Sequence, residues 1–169
     1  MATDIYTQAQ AAIRRDVANG KSYSVISGTM NGTGSPVDGD DGTWINDNVG
    51  GTQSGFQIDL GGYYSINYTR IKQGSYPGDA ANSYVLEYAL DPRSWITAAS
   101  WSPNGASTDT AAFSNIIARF WRVRRTTSNA TDFLIWTIEL WGIPFTWVPF
   151  DHAEGKTVIA GSNGNINDG

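Results

Sequence analysis

The chain has 169 residues, 40% of them hydrophobic, 12% aromatic and 16% charged, with nineteen glycines and a formal net charge of −5. This composition predicts one folded, β-rich domain with some extra chain and excludes a disordered polymer. The acidic balance excludes a surface that docks wholesale on nucleic acid, and the lack of cysteine excludes disulfides, thiolate metal sites and a cysteine nucleophile.

The first segment, MATDIYTQAQAAIRRDVANG, carries Ile5, Ala9, Ala12, Ile13 and Val17 at helical spacing between a Thr3/Asp4 cap and an Asn19-Gly20 stop. One short helix is predicted over 4–18. It lies on the domain's own surface or docks on a neighbouring subunit. The segment has no charged n-region followed by an apolar h-region, and no later run is long enough to span a membrane. Synthesis in the cytoplasm without a signal peptide is expected.

From Tyr23 onward the chain becomes short β-branched and aromatic runs separated by Gly, Asn, Asp and Pro. The loop VDGDDGT offers Asp38, Asp40, Asp41 and Thr43, and by itself reads first as an ordinary Asp-Gly turn. It is not an EF-hand, because counting from Asp38 puts Gly42 and Thr43 at the fifth and sixth places. FQIDLGG alternates Phe56, Ile58 and Leu60 with Gln57 and Asp59, as a half-buried strand does. SYVLEYALD, SWITAAS, IIARFWRVRRT and FLIWTIELWG continue the style, and strands so spaced, without long helices between them, predict an antiparallel sandwich or barrel.

The stretch FWRVRR concentrates arginine and tryptophan, which suits either a nucleic-acid surface or a strand. Strand geometry puts Trp121 and Val123 on one face and Phe120, Arg122 and Arg124 on the other. A structural origin is expected, with the arginines paired to acidic residues. In the next run Trp136, Ile138 and Leu140 should share a face, opposite Ile135, Thr137, Glu139 and Trp141. Beyond it the tail from Pro144 is aromatic and Pro-interrupted, then polar and Gly/Asn-rich.

Taken in order, VDGDDGTW, GFQIDLGG, SYVLEYALDPRSW, ARFWRVRRT and TIELWGI resemble successive landmarks of the discoidin family, the coagulation-factor type C domains. That family lies within the galactose-binding-like β-sandwiches and includes bacterial carbohydrate-binding modules. The resemblance covers about 25–143 and implies an all-β, eight-stranded antiparallel jelly-roll sandwich, with ligand-binding loops at one end. The expected division is an N-terminal helical segment over 1–22, the sandwich over 23–143 and a docking or linker tail over 144–169. Trp44 and Trp95 match the family's core aromatics.

The resemblance also implies a structural cation, usually calcium, between the Asp-Gly loop and the last strand. It would be held here by Asp38, Asp40, Thr43 and Glu139. The loop is one residue shorter between its first Asp and its Trp than the commonest family pattern. A sugar ligand needs an aromatic face and polar groups that satisfy hydroxyls, and the family supplies these from loops. The candidates are Tyr76, Asn82, Trp101, Arg125 and Phe133, each of which reads otherwise as a loop residue folded onto the sandwich edge.

Catalysis is not expected. The only histidine is His152 in the tail, and no H-E-x-x-H, G-x-S-x-G, P-loop or dinucleotide fingerprint occurs. The expected function is a non-catalytic, lectin-like module that binds a surface glycan. It would be displayed on a larger assembly such as a phage virion, with residues 1–22 and 144–169 as contacts to other subunits or to a second copy. The alternative is a structural module whose loops bind protein.

Overall fold

The structure is a computed structural model that describes residues 13–46, 54–74, 83–103, 105–127 and 133–146. Nine strands run through them: β1 (Arg15–Asp16), β2 (Ser22–Val25), β3 (Asn31–Gly32), β4 (Ile45–Asn46), β5 (Gly55–Gln73), β6 (Tyr84–Ala89), β7 (Ile96–Trp101), β8 (Ser107–Arg125) and β9 (Leu134–Pro144). Every pairing is antiparallel. The all-β antiparallel sandwich expected from the sequence is the fold observed, with nine strands among the described residues where eight are expected, four of them of only two to four residues.

Two strands of 19 residues each organise it. β5 and β8 pair along nearly their whole length, from Gly55 opposite Arg124 to Gln73 opposite Ser107, and the register breaks between Asp59 and Tyr64. At that break the ribbon turns from one layer into the other, as strands do when a bulge lets them bend. One layer holds β2, the first part of β5, the last part of β8, β6 and β7. The other holds the first part of β8, the last part of β5 and β9, with β1 and β4 on the far side of β9.

The core lies between the layers. Phe56, Ile58 and Leu60 are buried from one layer and Ile71, Ile138 and Leu140 from the other, as the two-residue strand period requires. Trp121 is the large, fully buried indole, tilted against Tyr88 and stacked on Phe113, which lies before the bend of the same long strand. Trp44 and Trp95, expected as core aromatics, are only half-buried.

The arginine-rich run is structural. Arg122 and Arg124 both bond Glu87 on the neighbouring β6, at 2.6 and 2.9 Å, and Arg119 forks onto Asp59 of β5 at 2.7 Å. Arg122 also lies 4.2 Å from the centre of the Trp95 ring. These partners come from adjacent strands, so the cations are consumed inside the sheet.

The expected helix is corrected where it can be seen. Residues 13–18 are not helical: Arg15 and Asp16 pair with Gly142 and Trp141 as β1, and Val17 donates its N–H to Leu140 O at 2.8 Å. Burial of Val17 and Ala18 against the core, with Asp16 accepting from the Ala18 and Leu140 amides, outweighs the weak helical stripe. The helical expectation for 4–12 lies outside the described residues.

Candidate functional site at the loop end of the sandwich

Because the ribbon folds back on itself, its two ends meet at one end of the sandwich. Ser54, Gly74, Ser83, Arg125, Thr126 and Leu134 gather there. The contacts that gather these points are Arg125 N–H to Ser54 O, Thr126 N–H to Ser83 O and Gly74 N–H to Leu134 O, at 2.7–2.9 Å. Loop-end side chains therefore come from several strands at once.

Tyr84, at the start of β6, and Trp101, at the end of β7, face each other across the pair and stack at 5.0 Å. The Tyr84 hydroxyl crosses to the other layer and donates to Asp109 Oδ2 at 2.6 Å, which Ser107 Oγ also bonds at 2.5 Å. Gln73, buried, donates from Nε2 to Ser107 Oγ at 2.9 Å and to Gly105 O at 3.0 Å. Burial first, and then Asp109, pushes the Tyr84 phenol far above its usual range, so it remains a neutral donor.

Beside this network is a shallow depression of about 210 Å³ lined by Lys72, Gln73, Gly74, Ala106, Ser107 and Thr108. Small-molecule pockets usually hold roughly 300–1,000 Å³, so the described surface is a platform rather than a cavity. Trp136 stands at its side: the β5–β9 register passes from Lys72 opposite Thr137 to Gln73 opposite Ile135, and the extra residue is Trp136. That bulge turns the indole out of the core face, where it donates to Gly74 O at 3.3 Å beneath the Lys72 amine, 5.1 Å from the ring centre. The expected face shared by Trp136, Ile138 and Leu140 is thus broken; Trp136 is half-buried, and Ile135, Ile138 and Leu140 are the residues of β9 that enter the core cluster.

Of the five expected ligand residues, Trp101 is at this end and half-buried. Tyr76 and Asn82 lie outside the described residues. Arg125 and Phe133 are fully buried, Phe133 against Phe56 and Tyr84 and with the Arg125 guanidinium 5.6 Å from its ring centre. They close the end of the core and present no surface to a ligand, which corrects their expected role. The sequence reading missed Tyr84, Asp109, Gln73 and Trp136. Three sit inside strand-like runs and only the folding of the ribbon joins them; a bulge hides the fourth.

The expected cation ligands are engaged with protein partners. Asp38 accepts from Asp40 N–H at 2.9 Å, Ser35 N–H at 3.0 Å and Thr43 Oγ1 at 2.8 Å, and Asp40 accepts from Gly42 N–H at 2.7 Å. Burial works against ionisation of Asp38, but the amides of Asp40 and Ser35 and the Thr43 hydroxyl outweigh it and hold the carboxyl below its usual value. These are the side-chain-capped turns of an Asp-Gly loop. Glu139 is across the strand from Arg70 and accepts from its guanidinium. Among the described residues, no three acidic or imidazole groups gather to hold a metal ion.

A family model described as a NedA-like, galactose-binding domain of the F5/F8 type C class matches residues 36–123, slightly more than half of the chain. The chain belongs to this family. The matched part of this galactose-binding domain runs from the Asp-Gly loop through most of β8, inside the span of about 25–143 on which the discoidin resemblance rested. No protein of curated function matches it in sequence.

Several solved structures share the domain's fold. Chitosan-binding module 2 of a chitosanase/glucanase from Paenibacillus sp. IK-5, in complex with chitotriose, is 26% identical with a TM-score of 0.64, over 74% of this chain and 98% of that one. Chitosan-binding module 1 of the same enzyme is 22% identical with a TM-score of 0.64, over 76% and 99%. CBM32-1 of a family 31 glycoside hydrolase from Clostridium perfringens is 17% identical with a TM-score of 0.62, over 75% and 97%.

Proposed function

We propose that this galactose-binding domain is a non-catalytic glycan-binding module that takes its ligand at the loop end of the sandwich. The observation that carries the reading is the Trp101–Tyr84 stack beside the Gln73, Ser107 and Asp109 network. An aromatic face suits the C–H surface of a pyranose, and fixed amide and hydroxyl groups suit its hydroxyls. The chitotriose complex of the Paenibacillus module supports an oligosaccharide ligand. A glycosidase would need two carboxylates flanking the scissile bond, whereas the described lining of the depression supplies an amine, an amide and two hydroxyls.

The second part of the proposal is that the module is carried on a larger body. Away from the Trp101–Tyr84 stack, Tyr63, Leu90, Ile117 and Phe145 line an apolar depression of about 410 Å³, a surface suited to attachment. A virion surface, the setting favoured by the sequence reading, is one such body. A glycoside hydrolase, as in the relatives from Clostridium, is another. Loops that bind protein instead of sugar are the competing reading.

A glycan array that includes chitosan oligosaccharides and bacterial surface sugars tests the proposal. Selective binding is expected, with a loss of tenfold or more in W101A and in Y76A, on the order of the roughly 1.4 kcal/mol of one stacking contact. A blank array from folded protein, or hydrolysis of any bound glycan, would overturn it.

A further inference from the structure

The discoidin resemblance implies a divalent cation tying the Asp-Gly loop to the final strand. The residues present do not fit one. Calcium takes six to eight oxygen ligands at about 2.3–2.6 Å. Here both oxygens of Asp38 are held by the loop's own amides and by Thr43, and Asp40 is turned onto Gly42. Glu139 gives one oxygen to Arg70 Nη1 at 2.5 Å and the other to Trp141 Nε1 at 2.8 Å.

A cation already joins the two elements, and it is a side chain. Arg70, on β5 directly opposite Glu139, sends Nη1 to Asp41 Oδ1 at 3.1 Å and Nη2 to Asp41 Oδ2 at 2.5 Å, while Nη1 also holds Glu139. Lys72, two residues along the same strand face, adds a bond to Asp41 O at 3.0 Å and lies 3.7 Å from its carboxylate. The guanidinium fork matches the Asp41 carboxylate in two bonds, a geometry a flexible amine cannot reproduce. Two positive side chains here oppose the approach of a divalent ion, and they are paired with Asp41 and with Glu139, the one expected ligand on β9.

We propose that Arg70 takes the place of the family's structural cation, clamping the Asp38–Thr43 loop to β9 through Asp41 and Glu139, so that the fold does not depend on calcium. The tie then runs through Asp41 rather than through a ring of oxygens around Asp38. The clamp should respond to salt and acid, which weaken ion pairs, and not to chelators.

Thermal unfolding after exhaustive chelation, with and without millimolar calcium, is the test, run on the wild type, R70M, D41N and the double variant. Expected are an unchanged wild-type Tm on adding calcium, a drop of several degrees in R70M and D41N, and a double variant whose loss is clearly less than the sum of the singles, because both remove the Arg70–Asp41 fork. A calcium-dependent rise in wild-type Tm would overturn the proposal, since a native-state ligand must stabilise by mass action; so would an R70M Tm equal to the wild type's, or fully additive losses. Should R70M not fold, calorimetric titration of the chelated wild type decides alone: saturable calcium binding overturns the clamp, and its absence supports it. Glycan binding plays no part in these readouts.

Discussion

Glu87 makes a structural unit of the arginine-rich end of β8. Its carboxylate is nearly enclosed, with the side chain 7% exposed, and is shared by Arg122 and Arg124. Burial would raise its pKa, but the hydrogen bonds and charges of the two guanidinium groups outweigh burial and hold it below the ordinary glutamate range. Removing the negative charge takes away the carboxylate that both guanidinium groups share. E87Q should therefore cost about 3 kcal/mol in urea unfolding, the scale of breaking a buried pair from one side; a loss under about 0.5 kcal/mol would mean that the arginines are carried by solvent. The contrast with Asp91 and Arg93 is instructive, since that pair is solvent-exposed in the turn after β6 and should be worth little. That Arg122 and Arg124 share a strand face could be read from their spacing by two, but their acceptor could not. Glu87 lies 35 and 37 residues away from them and reaches them only through the pairing of β6 with β8.

At the scale of elements, the β5–β8 ribbon decides the architecture, and two glycines in β5 separate two kinds of constraint. Gly55 opens β5 with φ +149°, and a Cβ there would stand 2.0 Å from Val123 O, a backbone atom in a paired strand that has nowhere to go. Gly61, in the bend where the ribbon changes layer, has φ +75° and open space around its Cβ position. G61A should then cost only the backbone strain, about 1 kcal/mol, whereas G55A should cost about 3 kcal/mol or more because the β5–β8 register itself must shift. Urea denaturation of both variants checks this, and equal losses would show that the close approach at Gly55 is readily relaxed. The GFQIDL alternation shows where β5 begins and which residues it buries. It carries no mark of the bend or of the bulge at Trp136, since both arise when one strand must match two partners at once.

For the molecule as a whole, the acidic groups set the response to pH. Asp41 and Asp59 are lowered first by hydrogen bonds to Arg70 and Arg119, and Glu87 and Asp38 are lowered despite burial. A carboxyl depressed in the folded state contributes stability that is complete above its unfolded pKa, near 4, and is lost as pH falls through the lower folded value. Asp16 acts oppositely: burial raises it against the pull of the Leu140 and Ala18 amides, so its contribution fades as pH rises through the raised value. With these four and the exposed Asp91, which its hydrogen bonds to Arg93 also lower, set against Asp16 alone, Tm should be level from neutrality to about pH 5 and fall below about pH 4; a Tm unchanged down to pH 3 would refute the ion-pair account.

Chain chemistry alone determined the all-β class, the strands with their core residues Phe56, Ile58, Leu60, Trp121 and Val123, the order of the family's landmarks and the turn character of the Asp38–Thr43 loop. These follow from side-chain period and turn propensity, which are local properties. Tertiary structure decided the rest. Residues 15–16 became a strand because the edge of β9 needed a partner and Val17 had a core to enter. Arg125 and Phe133 went inside because the ribbon closes over them, and Tyr84, Trp101, Gln73 and Asp109 became one surface because its ends meet. Arg70 came to face both Asp41 and Glu139, 29 and 69 residues distant, for the same reason. Contacts between distant residues depend on register and on how a long strand bends, and neither has a counterpart in any short stretch of sequence.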